Sequence, residues 1–301
     1  NLGTIDVSGR LSGTGVFTNR GVLTIEAGGS AAIVQSGNLV GDTLAGGSWH
    51  LNGQGSKLNI GVGAILTNAA NLWLTGNGSF GQLSGLQRNE GSLLVDGGGS
   101  RTFAKLLNTG TVAVAGGGSV AITSSQNLSK AGVLAGGRWE VYADGSGAGS
   151  LSVGTGLITT NAADILLSGG KSSFAQLSGL HSNTGSLSVQ AGHQLTLANL
   201  ENTGTLIAGA GGVLTIQASS NYSGKTLTGG RWQVEGDGAL TVGTGSIVVN
   251  DAEIVLRGSG ARMAQLSGLA TNTGTLAIEG GNTFVVGKTS RSTPISVVNS
   301  K

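Results

Sequence analysis

Aliphatic side chains alternate with polar ones in short runs along the whole chain. Thr4-Ile5-Asp6-Val7, Val22-Leu23-Thr24-Ile25, Ser92-Leu93-Leu94-Val95, Ser186-Leu187-Ser188-Val189 and Thr275-Leu276-Ala277-Ile278 all place aliphatic residues at alternate positions. Period two over four or five residues predicts short strands with one buried face. Asn-Thr-Gly, Ala-Gly-Gly-Gly and Ser-Gly separate the runs, and these residues accept turn and left-handed backbone angles at little cost. No stretch carries a helical stripe bounded by caps.

The runs repeat at two scales. The tract LAGGSWHL ends at Leu51 and returns as LAGGRWEV ending at Val141 and LTGGRWQV ending at Val234, which sets a period near 90 residues. QLSGL recurs with its first leucine at Leu83, Leu177 and Leu266, and an N-x-G-x-[LI] start recurs at Asn1, Asn89, Asn183 and Asn272. The chain therefore divides into long repeats 1-88, 89-182 and 183-271, with a partial fourth at 272-301. Within each, asparagines step by 18 or 19 residues, from Asn1 to Asn19, Asn89 to Asn108 and Asn183 to Asn202, and again to Asn38, Asn127 and Asn221. These asparagines are predicted to occupy turns, and one step is predicted to be one coil of a solenoid, with four or five coils per long repeat. The expected fold is all-β: a single continuous parallel β-helix over 1-301, right-handed by the usual crossover preference, of roughly 15 coils and on the order of 70 Å long. Asn1 opens inside a repeat, which predicts a longer array on its N-terminal side.

Composition narrows the choice. There are 58 glycines, one proline (Pro294) and no cysteine, so neither a collagen pattern nor a disulfide scaffold fits. Only 10% of residues are charged, the 16 basic and 14 acidic side chains are scattered, and the formal net charge is +2, which is no footprint for nucleic acid. No apolar run is long enough to span a bilayer.

Candidate chemistry is sparse. In Arg138-Trp139-Glu140-Val141 the charged residues share one face and Trp139 shares the other with Val141, so Trp49, Trp139 and Trp232 are expected in the core. Trp73 stands out of phase with Leu72 and Leu74; with its equivalents Leu166 and Val255 it forms a candidate outward row for a neighbouring rod, a saccharide or a lateral loop, the alternative being a covered or locally bent strand. His50, His181 and His193 occupy unrelated repeat positions, and the acidic tracts at Asp144 and Asp237 do not recur every nine residues, so neither metal nor other cofactor is expected. Asp96, Asp144, Asp164 and Asp251 are spread along the chain rather than clustered as a glycan-cleaving site requires, which argues against an enzyme.

Its N-T-G-x-L-x-[VI] and L-x-G-G-x-W-x-V units make the chain resemble the repeat shafts of giant bacterial exoproteins, the filamentous haemagglutinin and two-partner-secretion class and the autotransporter passengers. The resemblance covers all 301 residues in composition and architecture, and it transfers no binding residue because such shafts share a scaffold more than a site. It implies a structural shaft of an adhesin, extracellular or on the bacterial outer surface, supporting adhesion, aggregation or biofilm. The partners it implies are host or neighbouring cell surfaces or glycans, reached through other segments, with no membrane insertion. Two other classes stay open: a filament or sheath subunit that self-assembles head to tail or laterally, and a carbohydrate-binding β-helix.

Overall fold

The aliphatic runs pair in parallel with runs about twenty residues further on, so they stack into columns. A computed structural model describes residues 1–284, which make an all-β parallel β-solenoid of about 13 turns. The end of the partial fourth repeat, 285–301, lies outside the described residues. Two compact units are distinguished: one comprises 1–130, 136–156 and 171–175, the other 131–135, 157–170 and 176 onward.

In the first unit the inner sheet brings Ile5, Leu23, Trp49, Leu72, Leu93, Val112 and Trp139 into one column of paired residues. Val7, Ile25, Leu51, Leu74, Val95, Val114 and Val141 form the next. A second face closes the coil, through Arg10–Phe17, Ser30–Ser36 and Lys57–Ile60, and again through Ser100–Asn108, Ser119–Ser125 and Ser150–Val153. The second unit repeats the plan. Leu187, Leu206, Trp232, Ile254 and Leu276 pair in a column, and Gln194–Leu197, Val213–Ile216 and Ala239–Val242 form the opposing face. One coil has no way to bury its own apolar side; the coil above and the coil below cover it.

The long repeat is four coils of unequal length. The segments paired in the inner columns begin at Thr4, Val22, Ser48, Asn71 and then Ser92. The step of 18 or 19 residues holds for the first coil of each long repeat, and the others are longer because extra chain is inserted. After Asn38 and after Asn221 a two-residue antiparallel hairpin intervenes, pairing Leu39 with Leu44 and Tyr222 with Leu227. In the fourth coil QLSGL is a 3-10 turn, at Gly81–Gly85, Ala175–Gly179 and Ala264–Gly268. Its glutamine replaces strand pairing: Gln82 Oε1 accepts from Ile60 N at 2.8 Å, and Gln265 Oε1 accepts from Val242 N at 2.8 Å.

Candidate functional site

The asparagines build an internal ladder. Asn68 Nδ2 donates to Asn89 Oδ1, and Asn89 Nδ2 to Asn108 Oδ1, each at 2.8 Å. In the second unit Asn161 donates to Asn183 and Asn183 to Asn202, again at 2.8 Å, while Asn250 donates to Asn272 at 2.6 Å. Asn1 Nδ2 donates to Asn19 Oδ1 at 3.0 Å. Asn19, Asn89, Asn108, Asn183 and Asn202 are fully buried, and so are Asn68, Asn161 and Asn250, which the step of 19 did not pick out. Their signal was present in Thr67-Asn68-Ala69-Ala70 and Thr160-Asn161-Ala162-Ala163, which recur at the long period. A buried primary amide is tolerable here because it offers two donors and an acceptor along the stacking axis and finds partners for them.

The ladder explains the glycine pair before each core tryptophan. Where the Trp coil begins, Leu44 and Leu227 take the corner, pairing with Asn68 and Asn250. Asn38 and Asn221 instead close the ladder from the side, accepting from the backbone N of Asn19 and Asn202. The chain then bulges through two glycines with positive φ. A Cβ on Gly230 (φ +65) would lie 2.5 Å from the Asn202 carbonyl and side-chain amide, and one on Gly47 (φ +77) 2.6 Å from the Asn19 carbonyl. The carbonyl of the first glycine, Gly46, Gly136 or Gly229, accepts the indole N–H at 3.1, 3.1 and 2.8 Å. Trp49, Trp139 and Trp232 are fully buried.

Trp73 is the large ring on the surface, 41% exposed, whereas Leu72 and Leu74 beside it face inward. The outward row drawn through Trp73, Leu166 and Val255 needs correction: Leu166 is 8% exposed and Val255 2%. Val255 lies between Gln233 and Ala277 in the register. Polar side chains flank it in a connected set: Arg231 pairs with Glu253, Gln233 Nε2 donates to Glu235, and Arg257 pairs with Glu235 and Glu279. A short aliphatic group at the centre of a sheet face sits level with such neighbours, while an indole projects past them.

What Trp73 meets is His50, one coil below it in register. Their rings lie 5.1 Å apart at 67°, an edge-to-face contact. Burial lowers the His50 pKa from its ordinary value, opposed by the negative charge of Asp6, so the site favours the neutral imidazole. A small pocket opens here, about 60 Å³, lined by Thr24, His50, Leu51, Asn52, Trp73 and Thr75. Asn52 Nδ2 donates to Glu26 Oε2 at 2.8 Å along its edge. A shallower groove on the other face of the same unit carries Arg10, Lys57 and Gln82.

Three of the remaining candidates bond to backbone groups. His193 Nδ1 contacts the Gly169 carbonyl at 3.1 Å. Asp144 Oδ1 accepts from Ser146 N at 2.7 Å, and Asp237 Oδ1 from Gly211 N at 2.5 Å. Among the described residues no three His, Asp or Glu side chains gather as a metal would need, and no helix is long and apolar enough to cross a membrane. The chain matches no family model, no curated protein and no solved structure.

Proposed function

We propose that this chain is a shaft segment of a secreted or cell-surface adhesin, a mechanical spacer rather than a catalyst. The observation that carries the reading is the in-register stacking of the same coil plan over and over, with aliphatic columns and runs of an asparagine ladder that recur in each unit. Such a stack resists bending and local opening because each coil's backbone and side-chain bonds are made to both neighbours, and its stability is a sum of coil and interface terms. Its low charge and its surface of Ser, Thr, Asn and Gly suit an extracellular stalk, and the adhesive partners, host or neighbouring cell surfaces, are engaged by other segments.

Electron microscopy with sedimentation velocity over a wide concentration series tests this. A shaft segment stays a particle of constant length at every concentration. Fibres that lengthen with concentration and show a coil-spaced axial repeat would replace the reading with a self-assembling filament.

A further inference from the structure

The outer face of the first unit departs from the repeat beside the first core tryptophan. In the second unit the paired residues at this position are Gln233 and Val255, both buried, flanked by the Arg231–Glu253 and Arg257–Glu235 ion pairs. In the first unit the equivalents are His50 and Trp73. Two rings in adjacent coils thus stand where the second unit places an amide and an aliphatic chain and where the second long repeat has Glu140 and Leu166, and the ion-paired cover is replaced by Ser48, Asn52, Asn71 and Thr75. The core beneath does not account for it, because the inner columns are apolar in both units and Trp49 and Trp232 take the same place in them.

We propose that His50 and Trp73, with Thr24, Asn52 and Glu26, form a surface subsite for a neutral pyranose unit of a polysaccharide. The indole offers an apolar face for the C–H side of a sugar ring, with His50 holding its orientation through the edge-to-face contact. Beside it, the amide of Asn52 and the carboxylate of Glu26, already hydrogen-bonded to each other at 2.8 Å, offer the acceptor and donor pair that vicinal hydroxyls recognise. An aromatic platform with a few fixed polar groups is the general form of a small-molecule site. Charge sets the class: Asp6 lies in the column that holds His50, Glu26 accepts from Asn52 beside it, and burial disfavours the charged form of the imidazole. Sugar acids are therefore disfavoured and neutral hexoses or N-acetylhexosamines favoured. This subsite uses the first unit alone and is independent of whether the chain serves as a shaft.

The molecule supplies its own reporter, since the other three tryptophans are fully buried and Trp73 is the one that quenchers reach. The test measures acrylamide quenching and emission wavelength while the whole chain is titrated with chitotriose, cellotriose and β-1,4-galactotriose, and with trigalacturonate as the acidic comparison. The expected result is saturable protection of Trp73 by at least one neutral trisaccharide at millimolar concentration or below. Calorimetry should then show affinity at least about tenfold weaker in Trp73→Ala and closer to the native value in Trp73→Phe. Unchanged thermal unfolding of both variants separates loss of binding from loss of fold. The proposal is overturned if no neutral trisaccharide protects Trp73, if Trp73→Ala binds as well as the native chain, or if trigalacturonate binds as tightly as the neutral sugars.

Discussion

Replacing Asn89 by alanine removes one rung from the middle of the first unit's ladder, and the cost can be worked out bond by bond. The side chain is fully buried; it accepts from Asn68 at 2.8 Å and donates to Asn108 at 2.8 Å, to the Thr111 carbonyl at 2.9 Å and, more weakly, to the Gly91 carbonyl at 3.3 Å. Three good bonds at about 1 kcal/mol net each give a loss of about 3 kcal/mol, with more where a buried partner is left without its bond. Stacked coils open locally rather than all at once, so the assay is hydrogen exchange by mass spectrometry on peptides spanning 86–115, not a global midpoint. The expected change is roughly a hundredfold faster exchange there, since each 1.4 kcal/mol is tenfold. Asn77→Ala, at an exposed turn, is the control and should move stability by no more than about 0.5 kcal/mol. Asn89→Asp keeps the shape and exchanges two donors for an acceptor, so it should be at least as damaging at neutral pH and milder in acid, where the carboxyl regains a proton to donate. If Asn89→Ala leaves exchange within about threefold of the native chain, the ladder is decoration and the energetic argument is wrong.

Gly230→Ala should cost more than the ordinary penalty for leaving glycine, about 2 kcal/mol or above, because the added carbon meets Asn202 at 2.5 Å on a backbone with φ +65; wild-type stability by chemical denaturation followed at Trp232 would refute it. Arg231→Ala breaks a part-exposed pair with Glu253 and should lower stability by about 1 kcal/mol or less, an effect that shrinks in high salt; a larger, salt-independent loss would contradict the surface assignment. Burial first, then the charge of Glu140 and its acceptance of the phenol hydrogen at 3.0 Å, push the Tyr142 pKa up to about 12. The folded state thus holds this proton more tightly than the unfolded one, and the stabilisation is complete below about pH 10 and lost as pH rises from there through 12. Absorbance at 295 nm, native chain minus Tyr142→Phe, should show that late ionisation; a difference midpoint near 10 would refute it.

Much of this protein was legible before its coordinates. Period-two alternation names the residues that face inward, because a strand allows no other phase, and recurrence at two lengths implies coils that stack on their own copies. Trp139 and Trp232 could be assigned to the interior from the phase of their charged neighbours alone. Three things were decided only by the tertiary structure. Coil length was one: Asn38 and Asn221 look like further 19-residue steps, yet each begins a hairpin, since spacing does not distinguish a new rung from a side chain that caps the old one. The role of the Gly-Gly pair was another, because its constraint is a contact with Asn19 or Asn202 of the preceding coil. Exposure of the outward residues was the third. Alternation puts Trp73 and Val255 on the same side of the sheet, and it stops there; whether such a residue reaches solvent depends on which side chains the coils above and below set around it, the ion-paired cover at Val255 or His50 and Asn52 at Trp73.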